Sequence, residues 1–284
     1  MLKMSRPFFA VCTLAASAVM LSVVAARPAS AQSVFFNEVL FNPPGDDNGF
    51  EYIELASILP NTALTGLTLL IVEGENVVAG TIDQAISLDS FVTGTNGLLL
   101  LRDSATFTQE PGTSVVTSDF SPDIENGANT FLIVQGYSGM VGTDYDVDNN
   151  GVFDSLPWTS VVSGFGYIDN ASSSGGTDYV YALPNVEVVG PQVGSPDGGG
   201  VVGPNAYARI SGTGYVFGVD GTSPGPYTVD PNFVSGAGAE GYSLTPGGAN
   251  VIPTVVPEPG TFALLGFGLL GGTVFAVRRN RRDA

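Results

Sequence analysis

Between Ser33 and Pro253 short apolar or alternating runs recur between clusters of Gly, Pro, Asn, Asp and Ser, and no stretch sustains a helical period. The pattern predicts strands near Val34 to Phe41, Phe50 to Ala56, Gly66 to Glu73, Leu98 to Arg102, Thr130 to Gln135, Trp158 to Ile168, Asp178 to Leu183 and Tyr215 to Val219. Turn chemistry separates them at Asn42-Pro43-Pro44-Gly45, Gly198-Gly199-Gly200 and Ser223-Pro224-Gly225-Pro226, which suits tight connections rather than crossover helices. The expectation is an all-β body, residues 32–250, folded as one β-sandwich. The stretch from Val189 to Pro204 reads as a long loop or a boundary, and the strand-like run after it keeps the body a single domain.

The two ends have a different pattern. Lys3 and Arg6 precede an apolar run from Phe8 to Ala26, and Ala29-Ser30-Ala31 supplies the small-residue pattern of a cleavage site. Residues 1–31 therefore read as a signal peptide, with Ala29 and Ala31 presented to signal peptidase and cleavage before Gln32. At the other end, residues 251–260 form a proline-rich linker, and Thr261 to Val277 is an uncharged run of seventeen residues. As a helix it would span about 25 Å at ~1.5 Å per residue, short but workable for an inner membrane. Arg278, Arg279, Arg281 and Arg282, in the basic tail 278–284, would hold that end in the cytoplasm and leave the body outside.

Pro257-Glu258-Pro259, the apolar run and the arginine cluster together resemble the PEP-CTERM sorting signal. The resemblance implies a Gram-negative bacterium and an exported precursor anchored in the inner membrane. It also implies a partner, an exosortase-type membrane protease that would cut near Pro257-Glu258-Pro259 and release the body to the cell surface or matrix. An ordinary anchor that is never cut is the competing reading.

Charge sharpens the picture of the body. Seven of the nine basic residues lie at the termini, so between Gln32 and Val277 only Arg102 and Arg209 face every acidic residue of the chain except Asp283. Such a field disfavours nucleic acid and favours solubility, divalent cations or cationic partners. The single cysteine, Cys12, falls in the leader and histidine is absent, which removes disulfides, thiolate chemistry, Cys/His zinc sites and His-based triads. Most common catalytic arrangements are thereby removed, and carboxylate-only chemistry survives that filter.

Phe36-Asn37-Glu38-Val39-Leu40, Asn42-Pro43-Pro44-Gly45-Asp46-Asp47, Phe50-Glu51-Tyr52-Ile53-Glu54-Leu55 and Leu64-Thr65-Gly66-Leu67-Thr68-Leu69 resemble the opening of a lamin-tail domain. Ser243-Leu244-Thr245-Pro246-Gly247-Gly248-Ala249-Asn250 is similar to its closing phrase. The resemblance implies an immunoglobulin-like β-sandwich. Leu67 stands where a tryptophan is common, and the body exceeds a minimal lamin-tail domain, so long insertions are expected. Glu38, Glu51 and Glu54 are the right chemistry for paired catalytic carboxylates, but strand alternation reads them as outward-facing.

The segment richest in candidate ligands is Asp144 to Asp154. In the frame starting at Asp146, oxygen side chains fall at Asp146, Asp148, Asn150 and Asp154, with Gly151 at the bend and the Val152 carbonyl available; Asp144 adds a further carboxylate. That is EF-hand-like spacing for Ca²⁺, lacking the usual acid twelve positions in, where Pro157 stands. A solvated turn explains the same residues. Trp158, Phe165, Tyr167, Tyr179 and Tyr181 read either as a sugar-stacking face or as packing, and Asn170-Ala171-Ser172 is a glycosylation sequon. The leading reading is a non-catalytic surface or matrix protein working in envelope, exopolysaccharide or biofilm architecture. A calcium-supported carbohydrate- or protein-binding module comes second, and a carboxylate or metal hydrolase third.

Overall fold

The computed structural model describes residues 34–45, 48–118, 120–121, 123–169, 177–190, 193–194, 204–234, 239 and 241–250. The predicted leader, membrane helix and basic tail lie outside the described residues, as does the sequon.

Among the described residues fourteen strands form: β1 (Val34–Leu40), β2 (Tyr52–Ser57), β3 (Leu67–Glu73), β4 (Ile82–Ser87), β5 (Leu98–Arg102), β6 (Ser114–Thr117), β7 (Asn129–Gln135), β8 (Ser160–Tyr167), β9 (Asp178–Tyr179), β10 (Val186–Val189), β11 (Val193–Gly194), β12 (Ala206–Ile210), β13 (Thr213–Asp220) and β14 (Thr228–Val234). They assemble into a seven-stranded sheet, β14-β13-β12-β1-β2-β5-β6, and a five-stranded sheet, β10-β8-β7-β3-β4, with β11-β9 as a small pair. Pairing is antiparallel except for β5 with β6 and β10 with β8. The all-β expectation agrees with this two-sheet architecture.

The sheets meet across one apolar core. Phe36, Phe41, Ile53, Leu99 and Tyr207 come from the seven-stranded side, and Leu69, Ile71, Phe131 and Phe165 from the other. Phe165 bridges the layers, stacking on Tyr207 at 3.8 Å between ring centroids and meeting Phe36 edge-on at 5.2 Å. Such ring pairs add about 1 kcal/mol each beyond the area they bury.

Both outer faces are covered as well. Leu40, Tyr52, Leu100, Ala208 and Phe217 pack on the far side of the seven-stranded sheet beneath Phe107, Tyr227, Tyr242 and Leu244. Leu70, Val72, Leu132 and Val134 pack on the far side of the other sheet beneath Phe153, Trp158 and Tyr181. This layering explains why central strands are apolar at consecutive positions rather than alternate ones: Leu98, Leu99, Leu100 and Leu101 are all buried.

It also corrects the reading of three glutamates. Glu38 and Glu54 do project to the outer face, but that face is roofed, and both are fully buried. Glu51 is fully buried too, its Oε2 accepting the Ile124 amide at 3.1 Å. The aromatic set likewise resolves as packing: Phe165, Tyr167 and Tyr181 are buried, Trp158 nearly so, and only Tyr179 is half-exposed.

Candidate functional site

The predicted calcium loop belongs to the long connection between β7 and β8, which roofs the five-stranded sheet. Phe153 anchors it, stacking on Tyr181 at 4.0 Å and meeting Trp158 edge-on at 5.4 Å. Gly80 lets it dock: its φ is +91°, and a Cβ there would stand 2.5 Å from the Cβ of Asp146. Asp146 is wholly buried and organises the turn. Its Oδ1 accepts the Asn150 amide at 3.0 Å, and its Oδ2 accepts the Gly151 amide and the Tyr181 hydroxyl, each at 2.8 Å.

Carboxylate oxygens of Asp146, Asp148 and Asp154 come within 4.8 Å of one another, the latter two exposed. The other predicted ligands have different work. Asp144 Oδ1 accepts the Asp146 amide at 2.8 Å, Asn150 Oδ1 accepts the Val152 amide at 2.8 Å, and Val152 is largely exposed. The loop thus offers three of its six predicted ligands as one oxygen cluster, a partial shell for a hard cation that takes six or more oxygens.

Two more carboxylate groups form where the sequence shows no local motif. Glu51, Asp103 and Asp123 approach within 4.8 Å, as do Glu73, Asp83 and Glu125. Asp123, Glu125, Asp83 and Glu75 also line one cleft of about 630 Å³. Burial, followed by the neighbouring Glu125, pushes the Glu73 carboxyl up to about 10; burial and Glu125 likewise push Asp83 up to about 6. Glu75, raised to about 7 by burial and by Asp169, Asp178 and Glu125, extends the acidic end.

On the opposite, roofed face the opening and closing phrases of the body meet. Glu38 and Glu54 stand directly across from each other in the β1–β2 register. A bulge between Phe36 and Glu38 adds Asn37, whose amide nitrogen donates to Glu54. Tyr52 and Tyr242 hydroxyls donate to Glu38, the Thr245 amide reaches its two oxygens at 3.0 and 3.1 Å, and the Gly247 amide donates to Glu54. Asn250 closes the clasp by donating to the Asn37 carbonyl at 2.6 Å. Beside it a cleft of about 710 Å³ opens between Phe107, Glu110, Pro224, Tyr227 and Pro246.

Burial pushes Glu38 up to about 7 against the opposing pull of its hydrogen bonds, and burial together with the Glu38 charge raises Glu54 well above the usual carboxylate range. A carboxyl whose folded-state pKa exceeds its unfolded value takes up a proton on folding. Its stabilisation is full below the ordinary 4.5 and is lost as pH rises through about 7. We therefore expect Glu38 to make the protein less stable at pH 8 than at pH 5, by on the order of 3 kcal/mol. Thermal unfolding of the full chain in EDTA across that range should fall accordingly, and Glu38→Gln should flatten the slope. An unchanged slope in Glu38→Gln would refute this assignment.

The predicted sorting residues Pro257, Glu258 and Pro259, the signal peptidase residues Ala29, Ala31 and Gln32, and Arg278, Arg279, Arg281 and Arg282 lie outside the described residues. The last described segment ends at Asn250, seven positions before Pro257. Residues 255–282 match the PEP-CTERM protein-sorting motif. The motif marks the chain as an exported, membrane-anchored precursor processed by an exosortase. No curated protein and no solved structure matches the chain. No lamin-tail family match supports the resemblance of the body.

Proposed function

We propose that this protein is a non-catalytic surface or matrix component, delivered through its PEP-CTERM tail, whose β-sandwich serves display and contact in envelope, exopolysaccharide or biofilm architecture. The observation that carries the reading is the sorting motif at 255–282, directly behind a body whose final described segment is clasped to buried glutamates. A folded domain closed at Asn250 leaves a short connection to the cleavage region, an arrangement suited to release of an intact body. The absence of histidine, and of cysteine beyond residue 12, leaves few routes to catalysis. The lamin-tail resemblance and an immunoglobulin-like sandwich belong to the same proposal, supported by the meeting of the opening and closing phrases around Glu38 and Glu54.

A second reading, a cation-supported carbohydrate- or protein-binding module, is favoured by the oxygen cluster of Asp146, Asp148 and Asp154, which we assign to Ca²⁺. The cleft beside Phe107 and Tyr227 offers such a module apolar walls with Glu110 at the rim.

Intact-mass analysis of the chain recovered from exosortase-competent cells tests the principal reading. We expect an N-terminus at Gln32 and a C-terminus near Pro257-Glu258-Pro259. In cells lacking the exosortase, and for a variant with those three residues changed to alanine, the mass should retain Arg-Arg-Asp-Ala. Retention of that terminus in competent cells would overturn processing and leave a membrane-anchored protein.

A further inference from the structure

We infer that the end of the sandwich carrying Ile58, Leu59 and Val92 seats on a lipid surface, the face of the anchoring membrane from which the precursor emerges. Strand register gives the sandwich two distinct ends. At the first lie Leu40, Tyr52, Arg102 and Asp220 of the larger sheet and Glu73 and Tyr167 of the smaller, with Phe41 stacked on Tyr167 at 4.7 Å. At the second lie Val34, Ser57, Leu98 and Thr213, and the connections 58–66 and 88–97 join this end to Leu67 and Ser87.

Charge divides along the same axis. Glu51, Glu73, Asp103, Glu125 and Asp220 flank strands at the first end, and the Asp144 to Asp154 loop docks there against Gly80 and Thr81. At the second end Asp89 accepts the Gly66 amide and the Ser87 hydroxyl, and Glu187 pairs with Arg209 at 3.7 Å. Glu110 stands between the ends, level with Glu54, because the two share Gly247.

The second end also displays apolar side chains on a rigid turn. Ile58 and Leu59 are 58% and 68% exposed, Val92 beside them is 43% exposed, and Pro60 is exposed too. The turn is held by hydrogen bonds: the Asn61 amide donates to the Gly94 carbonyl at 3.0 Å, the Thr62 amide to Thr93 Oγ1 at 2.9 Å, and the Ser57 and Thr62 hydroxyls to the Leu59 carbonyl at 2.6 Å. Its exposed polar neighbours, Asn61, Thr65, Ser90, Thr95 and Asn96, are uncharged. An apolar tip with an uncharged polar rim is the make-up of an interfacial contact.

The exits of the chain favour lipid as the occupant. Val34, two positions after the expected leader cleavage, starts β1 at this end. Asn250 is tied here as well, donating to the carbonyls of Asn37 at 2.6 Å and Arg209 at 3.4 Å. Residues 251–260 then separate it from the apolar run at Thr261, a tether that reaches at most about 35 Å when extended. Val147 and Val152 are as exposed as Leu59, but they stand among the carboxylates of Asp146, Asp148 and Asp154, which anionic headgroups repel. Seated on the second end, the body keeps its acidic end away from the bilayer and holds the Pro257-Glu258-Pro259 region at the membrane surface. This contact presupposes the membrane anchor read from residues 261–277.

The test reconstitutes the full chain, purified with its tail from cells lacking the exosortase, into vesicles of phosphatidylethanolamine and phosphatidylglycerol with brominated acyl chains, which quench tryptophan on contact. Val92→Trp puts a reporter at the tip and Val147→Trp one at the acidic end; Trp158, the single tryptophan of the sequence, is buried and sets the baseline. Val92→Trp should lose most of its added emission and Val147→Trp should keep it. Adding Ile58→Asp/Leu59→Asp, both at exposed positions, should restore the Val92→Trp emission. Flotation with the vesicles reports the anchor separately. A chain that floats with Val92→Trp unquenched, with both reporters quenched alike, or with quenching that survives Ile58→Asp/Leu59→Asp would overturn the lipid contact, leave the anchor standing and assign the tip to a partner other than lipid. A chain that does not float would overturn anchor and contact together.

Discussion

Replacing Glu38 by alanine is expected to destabilise the protein by about 3–5 kcal/mol, because it leaves several buried donors without an acceptor at once. The hydroxyls of Tyr52 and Tyr242 and the amide of Thr245 all converge on this carboxyl. Each unpaired buried group costs about 1–3 kcal/mol, and the truncated side chain leaves a cavity besides. Relief of the repulsion with Glu54 offsets part of the loss. At about 2–4 °C per kcal/mol for a body of this size, the melting temperature should drop by roughly 10 °C. Glu38→Gln preserves the shape and one acceptor while its amide can face a tyrosine hydroxyl acting as acceptor, so it should lose far less. The damage should also be local at first: limited proteolysis should cut Glu38→Ala near Tyr242 to Asn250 before the core opens. A Glu38→Ala protein with wild-type melting and protease resistance would sink the clasp, and with it the idea that the body is closed just ahead of its sorting tail.

That clasp shows which information a linear reading can carry. The opening and closing phrases are visible as strings, and strand alternation correctly sends Glu38 to the face away from the sheet-to-sheet core. What alternation cannot supply is the roof. Tyr242, Thr245 and Gly247 lie about two hundred positions downstream, and nothing local says that they return to cover that face. Alternation alone therefore sends a glutamate that points away from one core into water.

Strands followed the same logic. β5 and β7 are legible because both of their faces are buried and their apolar residues are consecutive, as in Leu98 to Leu101 and Phe131 to Val134. β4, β6 and β10 escaped because they are partly exposed and mix small or polar residues into short runs. β12 is central but slight: Ala206 and Ala208 are small where the cluster containing Tyr242 packs on the sheet, and Arg209 interrupts the run. β14 contains Pro231, which argues against a central strand and is tolerated because β14 is an edge.

The carboxylate clusters divide along the same line. Asp146, Asp148 and Asp154 sit close in sequence, so their spacing is readable, although the structure gives Asp144 and Asn150 hydrogen-bonding roles within the turn. Glu73, Asp83 and Glu125 are brought together by strand pairing and a bulge, neither of which leaves a motif.

Phe131→Ala should produce an effect of comparable size by a different route. The ring is wholly buried, stacks on Phe165 at 4.7 Å within its own sheet, and reaches across to Phe36 and Phe41 at 6.1 and 6.2 Å. Its removal deletes contacts on both sides of the interface and opens a cavity that two rigid sheets cannot close, which costs about 3–5 kcal/mol. Phe131→Leu, which refills most of the volume, should cost less than half as much, and Met140→Ala at an exposed position should change little. The decisive comparison is with Glu38→Ala. Phe131→Ala should lower the melting temperature by a similar amount without early cleavage near Tyr242 to Asn250, because it weakens the packing between sheets and leaves the clasp hydrogen bonds in place. If the two variants shared one proteolytic pattern, roof and core would open as a single unit, and the body could not release its C-terminal segment independently of global unfolding.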